Sequence, residues 1–227
     1  MIKGIIFDCD GTLVDSEHLF NRALSLKLAE RGVNLSANQL VARFRGVKFA
    51  DVLAVIEQEF KVKLDDDFID QYRALVETFF KQDLKACDGV AQTLAQIDLP
   101  MSVATNGPLA KMKIAMQVTG LSDFFNERLF SAYDVDCWKP DPGLFLHVAD
   151  TMNLSAQECL VVEDSVVGIE GAIAANMNAV LYDPHGVHSD YYASLDNSQR
   201  ASVAKVSHFS EVLNCLKDLN QLAIQVN

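Results

Sequence analysis

The sequence of 227 residues contains no hydrophobic run close to the roughly 20 residues that a membrane-spanning helix requires. Basic residues are scarce, because 19 Lys and Arg stand against 31 Asp and Glu and leave a formal net charge of -12. This acidic excess argues against nucleic acid or anionic membranes as partners. The five cysteines are scattered, with no pair at metal-ligand spacing, which is typical of free thiols in a reducing compartment. No secretory signal is visible, and we expect a cytoplasmic protein.

The sequence does contain enough apolar material for a globular core. Hydrophobic residues make up 50% of the chain and charged residues 22%, which excludes a disordered or low-complexity protein. Residues 16–87 carry 11 basic and 11 acidic side chains, so the whole net charge of -12 lies in the rest of the chain. This difference predicts one core that is interrupted by an insertion of different character.

Short apolar runs alternate with helical patterns on both sides of this insertion. The runs predict parallel strands at residues 4–7, 101–104, 160–162 and 179–182. Between residues 16 and 85 the pattern is helical throughout. We therefore predict an α/β fold, a Rossmann-like parallel sheet core with an inserted all-helical cap domain. The predicted domains are 1–15 with 88–227 for the core and 16–87 for the cap.

Local signals mark several element ends. Ser16 is a plausible N-cap, Gly32 is expected to end the first helix, and Ser36 with Gln39 has the pattern of a capping box. The polar stretch 189–202 is predicted to be a surface loop with one helical turn at most. His185 and His188 have no third ligand nearby in the sequence, so a zinc site is not supported.

Two carboxylates, Asp8 and Asp10, directly follow the first predicted strand and precede Gly11. In open α/β sheets the carboxyl ends of the strands line the ligand site, so these side chains are candidates for chemistry. One carboxylate could attack a phosphoryl group, and a second could protonate the leaving oxygen and later activate water. A polar Asp-Gly turn without a function is the alternative.

Three later segments carry matching chemistry. Thr105 and Asn106 follow the second predicted strand and could hold phosphate oxygens, although Asn-Gly is also an ordinary turn. Lys139 lies in a proline-rich loop and could screen charge between a carboxylate and a phosphate. Glu163 and Asp164 end a strand, where two acids are unfavourable unless a cation such as Mg²⁺ binds them. Helix capping by Asp164 or by the next residue, Ser165, is the competing explanation.

The ordered motifs DxDGT, T-N, K-P and E-D-S resemble the haloacid dehalogenase superfamily of aspartyl-phosphate phosphatases and mutases. The resemblance covers the whole chain, and the helical insert lies where that family has its helical cap. It implies that Asp8 is the nucleophile and Asp10 the general acid and base. It also implies that Thr105 and the Asn106 amide bind phosphate and that Lys139 neutralises charge.

The same resemblance implies a Mg²⁺ cofactor. Asp8 would bind the ion through its carboxylate, Asp10 through its backbone carbonyl and Asp164 through its side chain, with Glu163 joining directly or through water. Phosphoryl transfer has a highly charged transition state, which such cationic groups stabilise. Because dehalogenating members lack the second Asp, the presence of Asp10 makes dehalogenation improbable.

Within the family, the stretch 43–48 resembles the cap loop of the branch that contains beta-phosphoglucomutase and bacterial sugar phosphatases. The mutases have a His and an Arg where this chain has Phe20 and Phe49, so the expected clamp for a second phosphate is missing. The combination of the motifs R-F-R-G-V-K, V-A-T-N-G-P and D-C-W-K-P-D-P looks closer to 6-phosphogluconate phosphatase and its relatives. Arg45 and Lys48 are the expected substrate-binding cations of the cap. The expected partner is a small phosphorylated metabolite, acted on by a monomer or weak homo-oligomer.

Three alternatives belong to other function classes. A beta-phosphoglucomutase-type mutase would need a clamp for a second phosphate. A phospho-acceptor signalling domain also uses Asp, Thr and Lys, but its acceptor should end an inner strand after an earlier acid pair, whereas Asp8 follows the first strand. A catalytically inactive binding module is disfavoured because the whole motif set is present.

Overall fold

A computed structural model of the chain describes residues 1–44, 47 and 49–225. It divides into two compact units, Met1–Val14 with Ala86–Asn227 and Asp15–Lys85. Where the chain leaves and re-enters the first unit, Val14 and Ala86 form an antiparallel bridge and Cys87 N donates to Leu13 O at 3.0 Å. The domain boundaries predicted from the sequence remain a proposal.

The described part of the first unit contains a six-stranded sheet in which every pairing is parallel. The strands are β1 Gly4–Phe7, β2 Met101–Thr105, β3 Leu129–Ser131, β4 Cys159–Glu163, β5 Asn178–Tyr182 and β6 Val203–Val206. Their order is β3-β2-β1-β4-β5-β6, so β1 lies between β2 and β4. The predicted fold and all four predicted strands are confirmed, whereas β3 and β6 were not predicted.

The helices follow in chain order, the first four of them in the second unit. They are α1 Glu17–Ala29, α2 Ala37–Phe44, α3 Phe49–Phe60, α4 Asp66–Asp83, α5 Val90–Leu94, α6 Leu109–Val118, α7 Ser122–Phe125, α8 Ala132–Val135, α9 Gly143–Thr151, α10 Val166–Ala174, α11 Ser189–Ser194, α12 Asn197–Ser202 and α13 Val212–Gln225. Short 3-10 helices occupy Ala156–Glu158 and Phe209–Glu211.

Strand β1 is buried on both faces, as expected for a central parallel strand. Ile6 belongs to the core cluster that α9 and α10 build with β4 and β5. Phe7 points to the opposite face, where its ring centroid lies 5.9 Å from Phe125 and 6.1 Å from Phe209. This packing fixes the end of β1 and so the start of the loop that carries Asp8.

The second unit is helical throughout its described residues, as predicted. Gln39 N donates to Ser36 Oγ at 3.3 Å and Ser36 N donates to Gln39 Oε1 at 2.9 Å, which confirms the capping box. Helix α1 ends at Ala29, and Gly32 follows with a φ of 79°. Phe79 and Phe80 are buried in this unit, as the sequence indicated.

The prediction for residues 189–202 was wrong. They form two short helices, α11 and α12, instead of a loop. Asp196 caps α12, because its side chain accepts from Ser198 N and Gln199 N while Gln199 bonds back to the Asp196 backbone. Side-chain capping thus stabilises a helix that the polar composition obscured.

Candidate active site

Three polar side chains meet at one edge of the sheet because they end neighbouring strands. Asp8 directly follows β1, Thr105 is the last residue of β2, and Glu163 is the last residue of β4. Since β1 lies between the other two strands and all run parallel, their carboxyl ends coincide. Asp8, Thr105 and Glu163 are all buried.

Lys139 brings a cation into this group from the loop between α8 and α9. Its Nζ donates to Asp8 Oδ1 at 2.5 Å and to Glu163 Oε1 at 2.8 Å, and the residue is only 3% exposed. Asn106 fixes the loop, because its Oδ1 accepts from Lys139 N at 2.9 Å and its Nδ2 donates to Lys139 O at 3.2 Å. The ammonium group is therefore held by both carboxylates, and the backbone that carries it is held by Asn106.

The loop after β2 is also held by hydrogen bonds. Thr105 Oγ1 accepts from Gly107 N at 3.0 Å, and Ser131 Oγ donates to Gly107 O at 2.7 Å. Thr105 and Asn106 therefore lie on the same sheet edge as Asp8, with their backbone fixed. Their roles in phosphate binding remain predictions.

Asp164 completes a cluster of three carboxylates with Asp8 and Glu163, in which the potential ligand oxygens lie within 4.8 Å of one another. Thr12 Oγ1 donates to Asp164 Oδ1 at 3.0 Å. Gly11 has a φ of 85°, and a Cβ at this position would overlap the Asp164 carboxylate. The Asp-Gly turn therefore leaves the space that Asp164 occupies.

Glu163 and Ser165 explain the helix cap that follows β4. Ser165 Oγ accepts from Gly168 N at 3.1 Å and so caps α10. Glu163 Oε2 accepts from Ser165 N at 2.8 Å and from Ser165 Oγ at 2.7 Å. Ser165 is thus the capping residue, and Asp164 turns its side chain to the carboxylate cluster instead.

The cluster has more negative than positive charge. Burial raises the pKa of Asp8 to about 7, against the attraction of Lys139, and the charge of Glu163 adds to this effect. Burial also raises the pKa of Asp164, and the charges of Glu163 and Asp8 raise it further. Burial alone would lower the pKa of Lys139, but its attraction to Asp8 and Glu163 raises it above the ordinary value. The site therefore favours an additional cation.

These residues fit a magnesium ion. Carboxylate oxygens are the side-chain ligands that Mg²⁺ prefers, and in this cluster Asp8 and Glu163 are buried while Asp164 is partly buried. The charged forms of Asp8 and Asp164 are destabilised by their surroundings. A divalent cation would reverse that destabilisation. Asp8 and Asp164 are the best side-chain candidates, because the two carboxylate oxygens of Glu163 already bond to Lys139 and Ser165.

One contact in this site was missed from the sequence. Lys111, in the first turn of α6, donates from Nζ to Asp10 Oδ2 at 2.6 Å. Both side chains are 23% exposed. The contact becomes apparent only once α6 has been placed, because this helix starts just after the Thr105 loop and so begins at the same sheet edge as Asp10.

Arg45 and Lys48 lie outside the described residues, so their substrate-binding role remains a prediction. Arg43, from the same basic stretch, pairs with Glu59 within the helical unit. His18 Nδ1 lies 3.4 Å from Asp15 Oδ1 and is exposed.

The parallel sheet and the carboxylate cluster at its strand ends point to one family of hydrolases, and comparison of the sequence with protein-family models identifies the same family. Residues 2–176 match the model of the haloacid dehalogenase-like hydrolases, and the chain belongs to this family. The predicted family and enzyme class, a phosphoric monoester hydrolase of the haloacid dehalogenase type, are confirmed.

One characterised relative and two solved structures are similar to this chain over most of its length. The chain is 38% identical over 187 residues to 6-phosphogluconate phosphatase of Escherichia coli, which covers 81% of this chain and 85% of that protein. The structure of a haloacid dehalogenase-like protein of Agrobacterium tumefaciens superimposes on this one with a TM-score of 0.83 and 29% sequence identity. The match covers 97% of this chain and 100% of the Agrobacterium chain. A family hydrolase of Deinococcus radiodurans, solved with bound phosphate and sodium, has a TM-score of 0.77 and 26% identity, with 96% of each chain covered.

Among the described residues, no helix combines the length and the hydropathy that crossing a bilayer requires.

Proposed function

We propose that the chain is a Mg²⁺-dependent phosphatase that hydrolyses a small sugar phosphate, similar to 6-phosphogluconate, through an aspartyl phosphate on Asp8. The observation that carries this proposal is the buried contact of Lys139 with Asp8 inside the carboxylate cluster. A buried carboxylate that is fixed by an ammonium group and followed two residues later by a second acid has the parts that nucleophilic phosphoryl transfer needs.

In the first step, a carboxylate oxygen of Asp8 attacks phosphorus and the bond from phosphorus to the sugar oxygen breaks. Asp10 donates its proton to that leaving oxygen. In the second step, Asp10 accepts a proton from water, the water oxygen attacks phosphorus, and the bond to Asp8 breaks. The products are the free sugar, inorganic phosphate and an Asp8 carboxylate ready for another turnover.

Lys139 orients Asp8 and offsets the negative charge that nucleophile and phosphate bring together. The Thr105 hydroxyl group and the backbone amide of Asn106 would hold phosphate oxygens. Asp8, the backbone carbonyl of Asp10 and Asp164 would hold the magnesium ion, with Glu163 directly or through water. When bound, the ion would supply positive charge to the phosphoryl oxygens.

The substrate is proposed from similarity and from charge. The relative of 38% identity is a 6-phosphogluconate phosphatase. Arg45 and Lys48 of the cap would bind the part of the substrate that is not transferred to Asp8, for example a carboxylate group. Action on a small cytoplasmic metabolite, by a monomer or weak homo-oligomer, completes the proposal.

Phe20 and Phe49 favour a phosphatase over a phosphosugar mutase. Phe20 packs on Phe80 with ring centroids 5.4 Å apart, and Phe49 stacks on Tyr72 at 4.7 Å. These positions, which bear a His and an Arg in the mutases that the sequence resembles, thus contribute aromatic packing within the helical unit. Neither side chain can bind a second phosphate as a cation.

The phosphatase proposal predicts which products form. The purified protein should release phosphate from 6-phosphogluconate or a related sugar phosphate, and chelation with EDTA should stop the release. Beta-glucose 1-phosphate, supplied with a bisphosphate activator, should yield phosphate without steady formation of glucose 6-phosphate. Phosphorus NMR follows both products, and efficient isomerisation would transfer the proposal to a mutase.

Magnesium should stabilise the protein even without substrate. Added to chelator-treated protein at about 100 times its Kd, the ion is expected to raise Tm by about 5–10 °C, because it binds the folded carboxylate cluster. Asp164→Asn should reduce this shift strongly, whereas Asp134→Asn, which removes an exposed carboxylate, should leave it unchanged. Differential scanning fluorimetry measures these shifts of Tm. An equal shift in wild type and Asp164→Asn would place the ion elsewhere.

A further inference from the structure

Lys111 is joined to the acid that the proposed mechanism uses for proton transfer. Its Nζ donates to Asp10 Oδ2 at 2.6 Å, across 101 residues of sequence. Both residues belong to the same compact unit, and both side chains keep 23% of their surface exposed. The contact is therefore built by the fold of the core and remains partly open to solvent.

The position of Lys111 is not explained by helix stability. It lies in the first turn of α6, a helix with no acidic residue in that turn. A cation there opposes the helix dipole. The ammonium group pairs with Asp10, which lies outside the helix.

The surrounding loop leaves room for this ammonium group. A Cβ at Gly107 would lie 2.9 Å from Lys111 Nζ and 3.4 Å from Thr105 Oγ1. The ammonium therefore lies beside the loop that ends β2, on the sheet edge that also carries Asp8. Burial would lower the pKa of Lys111, but its attraction to Asp10 raises it, so the group stays charged.

We propose that Lys111 is a positioning residue that orients the Asp10 carboxyl group for proton transfer. The hydrogen bond from Lys111 Nζ to Asp10 Oδ2 fixes the rotation of the carboxyl group, and so sets the direction in which Asp10 can give or take a proton. In this role Lys111 acts through Asp10 and not on the transferred phosphoryl group. This inference rests on the proposed function, in which Asp10 is the general acid and base.

The test compares two substrates that differ in how much they need the acid. The leaving group of p-nitrophenyl phosphate departs without much help, whereas that of phenyl phosphate depends more on protonation. Lys111→Met should lower kcat/KM for phenyl phosphate about tenfold more than for p-nitrophenyl phosphate, because a misplaced general acid loses part of its effect. The ratio of the two values from one preparation does not depend on the fraction of folded enzyme.

Three controls separate positioning from other roles. Lys111→Arg keeps a cationic donor and should restore much of the ratio. Lys113→Met removes an exposed lysine two residues along the same helix and should leave the ratio unchanged. In an Asp10→Asn background, Lys111→Met should have no further effect on the ratio, since the two residues act as one unit.

Equal losses on both substrates would overturn the inference and assign Lys111 to the stability of the loop. Weaker inhibition by orthovanadate together with a raised KM for both substrates would also overturn it, because Lys111 would then bind the phosphoryl group. Failure of the proposed function looks different. In that case the wild type would hydrolyse neither aryl phosphate, or Asp8→Asn would hydrolyse both.

Discussion

Replacement of Asp8 by asparagine should lower phosphatase turnover by roughly 10⁴-fold or more, because an amide cannot form the acyl phosphate. The folded state should not be weakened. Burial raises the pKa of Asp8 to about 7, so the charged carboxylate is unfavourable where it lies, and a neutral amide removes that cost. Lys139 keeps its contact with Glu163 in the variant.

The measurement is steady-state phosphate release together with Tm on the same preparations. Asp150→Asn is the matched control, because it makes the same chemical change at an exposed position of α9 and should leave activity intact. Retention of near wild-type turnover by Asp8→Asn would exclude Asp8 as the nucleophile. A large fall in Tm would instead assign the lost activity to a damaged fold.

Replacement of Lys139 by methionine should impair both catalysis and stability. Turnover is expected to fall by roughly 10²- to 10³-fold, as when one stabilising donor is removed from a transition state. The metal-free protein should lose about 3–5 kcal/mol of its free energy of unfolding, because the buried carboxylates of Asp8 and Glu163 lose their shared counter-ion. Added magnesium should recover part of the stability and little of the turnover.

Lys205→Met provides the control for this double effect. Lys205 Nζ lies 3.4 Å from Asp183 Oδ2, a carboxylate that is fully buried, so the variant also removes an ion pair from the core unit. It should lower the free energy of unfolding, measured by chemical denaturation, without lowering kcat, measured by phosphate release. Lys139→Met with unchanged kcat would show that the ammonium group serves only the fold.

Much of the site could be predicted because its residues are tied to strand ends. Asp8, Thr105 and Glu163 each border an apolar run, and parallel strands bring such ends together. A central strand that is buried on both faces reads as a continuous apolar run, which identified β1 and β4. Side chains that follow separate apolar runs in the sequence therefore lie close together in the structure.

The missed elements lack these signals. Strand β3 has three residues, and β6, at the other edge of the sheet, buries Val203 and Val206 but leaves Ala204 and Lys205 partly exposed. Short edge strands mix polar and apolar residues and resemble loops. Helix α12 depended on the Asp196 and Gln199 capping box, which the polar composition of 189–202 concealed.

The contact between Lys111 and Asp10 could not be predicted from local pattern. It joins residues 101 positions apart, and it depends on how α6 leaves the end of β2. A lysine in the first turn of a helix is a signal only after the helix has been placed beside an acid. Long-range contacts of this kind follow from the fold and have no sequence period of their own.

The most direct measurement is chemical trapping of the covalent intermediate. Borohydride added during turnover reduces an aspartyl phosphate to homoserine, which mass spectrometry locates in the N-terminal peptide. We expect homoserine at position 8, only when substrate and magnesium are present, and not in Asp8→Asn. Steady turnover with no modification at position 8, or substrate-dependent homoserine at another aspartate, would contradict the assignment of Asp8 as the nucleophile.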